Sequence, residues 1–317
     1  MKQNHTVMKY IKIFKIYLVF LALFVIMTFA SPAFFTKMNI LNLLRQLSIN
    51  GIIATGMTFV IITGGIDLSV GSILALSSIV ACDFIHPNTY PIIVPILIAL
   101  TIGAVCGGIN GVIIAKGKVP AFIVTMGMMT ICRGMTLMYN NGKAITNFDA
   151  SFKVIGGGTL LSIPIPIYIL VFTMLAGGVL LGKMRLGRYV YAVGGNEASA
   201  KISGINVDRI IICVYVIAGI LSALAGIVLS SRVITATATA GDGYELDAIA
   251  AVVIGGTSLS GGVGSVAGTL AGVLIIGVLN NGLDLLNVPS YYQQVIQGVI
   301  IIGSVFVDQY FKSKKQN

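Results

Sequence analysis

The chain has 317 residues, of which 56% are hydrophobic and 9% are charged, and its mean hydropathy is +0.98. Soluble domains carry about 25% charged residues, and disordered chains combine low hydrophobicity with high charge, so both classes are excluded. The remaining class is a membrane protein with many spans. The net charge of +10 is then expected to mark cytoplasmic loops, and we predict no nucleic-acid partner.

A spanning helix needs about 20 mostly apolar residues. Charges, prolines and glycine clusters divide this chain into ten apolar segments. In chain order, the predicted spans are 16–33, 45–63, 67–85, 91–115, 120–139, 163–182, 209–231, 245–259, 263–284 and 291–309. The first is predicted to be uncleaved, with a secretory signal as the alternative. The eighth is too short to cross alone, so it is predicted to be a half-helix or to continue into the ninth.

The basic residues predict the orientation. With the N-terminus inside, 14 Lys and Arg fall on the inside, and 4 fall outside, namely Lys37, Lys143, Lys153 and Arg232. Because basic residues favour the cytoplasmic side, both basic termini are placed there. The predicted fold is an all-α polytopic membrane protein, a single domain over 1–317 with about ten transmembrane helices, some of them discontinuous. Segment 140–162 is predicted to be an external loop, and 183–209 is the longest cytoplasmic loop.

Glycine-rich and small-residue patterns predict broken and closely packed helices. The segment GGIDLSVGS at 64–72 is similar to GGTSLSGGVGS at 255–265, and such breaks occur in discontinuous transporter helices. A plain tight turn is the alternative. Small residues also recur at helix-face spacing at Gly103, Gly107 and Gly111, at Ala218, Ser222, Gly226 and Ser230, and at Gly268 and Gly272. They predict close packing, either within one subunit or between two copies.

The cytoplasmic loop 183–209 carries the signals of a short helix. Asn196 is a good N-cap, Glu197 suits the first turn, and Gly204 suits a C-terminal stop. The residues predicted to share one face are Ala198, Ile202 and Ile205. A short capped helix that projects into the cytosol favours docking into a groove of another protein; a plain connector is the alternative.

Several motifs in this order resemble one family. They are GRY at 187–189, GGNEA at 194–198, SGIN at 203–206, the segment 64–72, GYELDAIAAV at 243–252, GGTSLSGG at 255–262, NNGL at 280–283 and SYYQ at 290–293. The chain resembles the permease subunits of bacterial ATP-binding cassette importers for sugars, above all those for ribose, over nearly its whole length. One departure is Val263, where many members of that family carry a basic residue.

The resemblance implies a division of labour between subunits. It assigns an ATPase-coupling role to Gly187, Arg188, Gly194, Gly195, Asn196, Glu197, Ala198 and Gly204. ATP and Mg would bind a partner cassette ATPase, so no cofactor is expected in this chain, which also lacks a G-x-x-x-x-G-K-[ST] phosphate loop. The other implied partners are an extracytoplasmic sugar-binding protein, a second permease copy in a homodimer, and membrane lipid. The implied location is the bacterial cytoplasmic membrane.

Sugar recognition needs hydrogen-bonding amides and carboxylates together with apolar faces. Asp67 is one of few ionisable groups at membrane depth, where such groups are functional by default; the alternative is an N-cap of the third span. Other candidates for the pathway or its vestibule are Tyr244, Glu245, Asp247, Asn280, Asn281 and Tyr291. Interfacial tyrosines are also ordinary in membrane proteins. We expect Arg133 to pair with an acid in the bundle or to snorkel.

Two other classes of protein are alternatives. An ion-coupled secondary sugar transporter usually buries several acids or histidines, whereas here the buried ionisable set is about Asp67 and Arg133. A membrane-embedded enzyme needs a nucleophile–base pair or a metal constellation. The four cysteines form no C-x-x-C pair, and the two histidines lie outside the predicted spans. We therefore predict no catalytic residue and no metal site.

Overall fold

The computed structural model describes residues 2–86 and 90–316, with side chains at 14–86, 90–303 and 306. The helices are α1 (Lys2–Ala30), α2 (Lys37–Ile62), α3 (Val70–Cys82), α4 (Ile93–Gly117), α5 (Ala121–Tyr139), α6 (Ala150–Gly157), α7 (Ile165–Lys183), α8 (Arg185–Gly195), α9 (Glu197–Ile202), α10 (Val207–Val233), α11 (Tyr244–Ile254), α12 (Val266–Leu285) and α13 (Ser290–Gln316). The short strands β1 (Thr159–Leu160) and β2 (Ile163–Pro164) pair antiparallel. The prediction of an all-α protein is confirmed.

Each of the ten predicted spans coincides with a helix. Among the described residues, six helices are long and apolar enough to cross a membrane: α2, α4, α5, α7, α10 and α12. The second span was predicted to begin at 45, but α2 begins at Lys37. The reason is a cap, since the Thr36 side chain accepts a hydrogen bond from the Asn39 N–H and so satisfies the first turn.

Two helices in the apolar part of the chain are short. Helix α3 has 13 residues and α11 has 11, which correspond to lengths of about 20 and 17 Å, whereas a bilayer core is about 30 Å thick. The eighth predicted span therefore forms a half-helix that ends at Ile254, and it does not continue into α12, which begins at Val266. This confirms the half-helix alternative.

The small-residue stripes pack inside the chain, with α10 packed against α2, α3 and α4. A Cβ added to Gly103 would lie 2.3 Å from the Gly219 carbonyl oxygen, and one added to Gly219 would lie 2.1 Å from the Gly103 oxygen. One added to Gly272 would lie 1.8 Å from the Ala251 oxygen. Backbones this close leave no room for a side chain, so packing within one subunit explains the stripes.

This packing predicts that Gly107→Ala destabilises the protein. A Cβ at Gly107 would lie 2.2 Å from the Tyr215 carbonyl oxygen, so α4 and α10 must separate, at a cost of about 2 kcal/mol for an overpacked core. Thermal unfolding in detergent, followed by circular dichroism, measures the loss. The matched control is Gly178→Ala in α7, where an added Cβ meets nothing within 4 Å. Equal melting temperatures for the two variants would contradict the packing argument.

Candidate functional site

Two glycine-rich turns meet at one end of the helices. The first turn, residues 63–69, separates α2 from α3, and the second turn, residues 255–265, separates α11 from α12. The backbone N–H of Gly262 in the second turn donates to the carbonyl of Ile62, at the end of α2, over 2.8 Å. Gly261 and Gly262 have φ of +81° and +73°, a region that favours glycine. Both segments thus interrupt helices, and the two interruptions are hydrogen-bonded to each other.

The α8–α9 corner, which we call the elbow (residues 191–197), rests on the end of α2 and on the second turn. A Cβ on Gly194 would lie 1.7 Å from the Ile62 oxygen, and one on Gly262 would lie 2.9 Å from the Gly195 Cα. The Tyr191 hydroxyl donates to the Gly264 carbonyl over 2.9 Å. The elbow is therefore in backbone contact with the ends of two broken helices.

The short helix predicted after Asn196 is confirmed as α9. Asn196 Oδ1 accepts from the Ser199 N–H over 2.8 Å, and Gly204, at φ +80°, follows the helix end. The predicted shared face is wrong in one member, because Ile205 lies beyond the helix and packs against the core. Ile202 is 89% exposed. The helix thus presents an apolar side chain to its surroundings.

The remaining predicted coupling residues lie around this helix. Gly187 is buried at the α7–α8 corner, where an added Cβ would lie 2.2 Å from the Leu181 oxygen. Arg188, Glu197 and Ala198 are exposed. Lys118 Nζ, from the α4–α5 connection, lies 4.0 Å from Glu197 Oε1 and 3.2 Å from Asp208 Oδ1. Helix α8 itself was not predicted. The sequence pattern that could have predicted it is an apolar face at helical spacing, which includes Val190 and Val193.

A second polar cluster, here called the polar junction, comprises Asn50, Asp247, Asn280 and Gln297. Gln297 Nε2 donates to Asp247 Oδ1 over 2.9 Å. Asn50 Nδ2 and Asn280 Nδ2 donate to Asp247 Oδ2 over 3.3 and 3.4 Å. Four helices, α2, α11, α12 and α13, contribute one side chain each. Asn50 and Gln297 were not among the predicted residues, although both are polar residues inside apolar spans.

The other predicted pathway residues fall into three places. Glu245 is buried beside Gly71, whose added Cβ would lie 2.5 Å from Glu245 Oε2. Asn281 exchanges two amide hydrogen bonds of 2.9 Å with Asn39, outside the polar junction. Tyr291 is exposed, and its ring is tilted against that of Tyr292 with the ring centroids 4.7 Å apart. A groove of about 400 Å³ brings Tyr244, Glu245 and Asp247 together with Gln297.

Asp67 lies apart from the polar junction, in a fully buried position. Its Oδ1 accepts from the Ser69 N–H over 2.9 Å and from the Ser69 hydroxyl over 2.5 Å. Asn110 Nδ2 donates to the same hydroxyl over 2.9 Å. The N-cap alternative is wrong, because α3 begins at Val70 and Ser69 occupies the cap position. A pathway role for Asp67 stays a prediction.

Arg133 binds backbone in preference to a buried acid. Its guanidinium donates to the carbonyls of Ala238 and Ala240. The nearest carboxylate, on Asp242, lies 3.9 Å away and is exposed. Arg133 therefore fixes the segment that leads into α11. The predicted pairing with an acid inside the bundle is wrong for the described residues, because the ion pair of Arg133 is with Asp242 at the surface.

Long apolar helices combined with helices broken at glycine turns define an integral membrane protein of the transporter class. A family model described as "Branched-chain amino acid transport system / permease component" matches residues 39–305. The chain belongs to this permease family and is a multi-pass protein of the inner membrane.

Individual relatives extend the comparison over almost the whole chain. The ribose import permease protein of Haemophilus influenzae is 50% identical over 304 residues, covering 94% of each chain. That of Bacillus subtilis is 53% identical over 295 residues, covering 92% of this chain and 91% of the relative. The L-arabinose ABC transporter permease protein of Azospirillum brasilense is 39% identical over 301 residues, covering 95% and 88%. No solved structure matches this chain.

The elbow geometry predicts that Gly194→Ala weakens the fold locally. The new Cβ would have to displace the Ile62 carbonyl, which also accepts the Gly262 hydrogen bond. We expect faster proteolytic cleavage in 185–205 and a loss of about 2 kcal/mol in unfolding free energy. Gly195→Ala is the matched control, because its Cβ meets nothing within 4 Å. Wild-type cleavage rates in Gly194→Ala would show that the elbow is not seated as described.

Proposed function

We propose that this chain is the membrane subunit of an ATP-driven importer that carries ribose or a related monosaccharide across the bacterial cytoplasmic membrane. In this proposal the ten predicted spans lie in the membrane, with α3 and α11 as short helices, and both termini are cytoplasmic. ATP and Mg bind a cassette ATPase subunit, a sugar-binding protein delivers the substrate outside, and two permease copies form the pathway. About half of all residues are identical to ribose import permeases over more than nine-tenths of the chain, which supports the proposal.

The observation that carries the mechanism is the contact of the elbow with the end of α2 and with the second glycine turn. A force applied to α9 reaches the end of α2 through Gly194, and it reaches the segment before α12 through the Tyr191 hydrogen bond to Gly264. Because α3 and α11 are too short to span a bilayer, their ends are free to shift without moving a whole spanning helix. ATPase movement would thereby open and close the pathway.

The residue proposed to anchor the ATPase is Ile202. Its side chain is exposed at the tip of a helix that is capped and held by the elbow. An exposed aliphatic side chain on a rigid support suits insertion into an apolar pocket of a partner, where a few such residues carry most of the binding energy. Glu197 and Lys118 provide charged groups at the edge of this proposed contact.

The test is uptake of labelled ribose by proteoliposomes that contain this chain, the partner ATPase and the binding protein. We expect uptake only when ATP is present on the side of the membrane that the ATPase subunit faces. We expect no dependence on sodium or proton gradients. Uptake driven by an ion gradient without ATP would contradict the proposal and favour an ion-coupled secondary transporter.

The variant Ile202→Asn tests the anchor within the same assay. Loss of a buried aliphatic anchor costs about 2 kcal/mol of binding, so ATPase co-purification is expected to fall about thirtyfold and uptake to fall with it. Leu161→Asn is the matched control, since Leu161 is 86% exposed in the segment predicted to be external; it is expected to retain the ATPase. Equal ATPase retention by both variants would exclude Ile202 as the anchor.

A further inference from the structure

We propose that the polar junction of Asn50, Asp247, Asn280 and Gln297 is a binding site for the hydroxyl groups of a neutral monosaccharide, occupied as the sugar passes between α2, α11, α12 and α13. The inference rests on the proposed function, because the substrate class comes from it. The position, chemistry and bonding of the site come from the described side chains.

The bonds inside the polar junction are suited to exchange with a ligand. Asp247 receives one bond of 2.9 Å, from Gln297, and two longer bonds of 3.3 and 3.4 Å, from Asn50 and Asn280. Bonds of that length are weaker than the usual N–H···O bond near 2.9 Å. A sugar hydroxyl both donates and accepts, so it can take the place of an amide at Asp247 and return a bond to the amide it displaces.

One group in the polar junction has no partner among the described side chains and backbone. Asn50 Oδ1 is buried without a hydrogen bond, and the residue as a whole is only 8% exposed. A buried acceptor without a donor is unfavourable, and the amide has already committed its nitrogen to Asp247. The donor that Asn50 lacks is one that a sugar hydroxyl supplies.

A route to the polar junction exists on the side where α11 begins. The groove of about 400 Å³ is lined by Asp247 and Gln297, and also by Tyr244 and Glu245. Tyr244 adds a ring face and Glu245 adds a second carboxylate at the same groove. Such a mixture of apolar faces with a few convergent polar groups is typical of small-molecule sites.

The bonding also distinguishes a neutral sugar from a cation. A cation site directs oxygen atoms inward, whereas here three amide N–H groups are directed at Asp247 and occupy both of its oxygens. This arrangement satisfies the carboxylate without an ion. It favours a ligand that carries donors and acceptors in equal measure.

The experiment uses the complete transporter in proteoliposomes, with ribose-loaded binding protein at saturation. The variants are Asn50→Ala and Gln297→Ala. Asn39→Ala is the control, because it removes an amide pair between α2 and α12 outside the polar junction. Ribose uptake and ATP hydrolysis are measured together. We expect uptake by the two junction variants to fall about tenfold, the effect of one lost hydrogen bond to a buried polar group, with ATP hydrolysis within about twofold of wild type and the control near wild type.

Each outcome bears on a separate claim. Wild-type uptake in both junction variants overturns the inference and leaves the proposed function intact, whereas absence of ATP-dependent uptake in the unaltered transporter overturns the proposed function itself. If an alanine variant does not assemble, Gln297→Glu keeps the side-chain size and places a carboxylate against Asp247 Oδ1; normal uptake by that variant overturns the inference. Sodium-dependent uptake that is abolished by Asp247→Asn would show a cation site and overturn the sugar site.

Discussion

The hydrogen bond from the Gly262 N–H to the Ile62 carbonyl holds two interrupted helices together at one point. Ile62 ends α2, and Gly262 lies in the turn between α11 and α12, so the bond joins parts of the chain that are 200 residues apart. Gly194 packs on the same carbonyl. An unpaired backbone group is costly inside a membrane, and this contact pairs two such groups, one at the end of α2 and one in the glycine turn.

The same two helices connect the elbow to the polar junction. Asn50 lies 12 residues before Ile62 on α2, a distance of about 18 Å, and Asp247 lies 7 residues before Ile254 on α11, about 10 Å. A shift of α11 relative to α2 at the elbow would therefore move the side chains that bond to one another at the polar junction. In the proposed importer, this is how ATP chemistry in a partner subunit changes the hydrogen bonds available to the sugar.

The sequence predicts local features well and their assembly less well. Hydropathy places all ten apolar helices. The cap at Asn196 and the glycine breaks can be predicted because they depend only on neighbouring residues in the sequence. The start of α2 was missed because one Thr36 side chain decides it. Asn50 and Gln297 could not be assigned to the same site as Asp247, because their meeting depends on how four helices pack. The surroundings of Asp67 depend on packing too, because its partner Ser69 also accepts a hydrogen bond from Asn110 of α4, which spacing in the sequence does not reveal.

In the proposed importer, α9, which follows the elbow, and the glycine turn of 255–265 move as one body. Spin labels at Ser203→Cys and Val263→Cys, both at exposed positions, measure this by pulsed electron resonance once exposed Cys213 is replaced by Ser. We expect the distance between the two labels to stay constant when the assembled transporter binds and hydrolyses ATP, while a label at Leu286 moves relative to both. A change of several ångströms between positions 203 and 263 would contradict it.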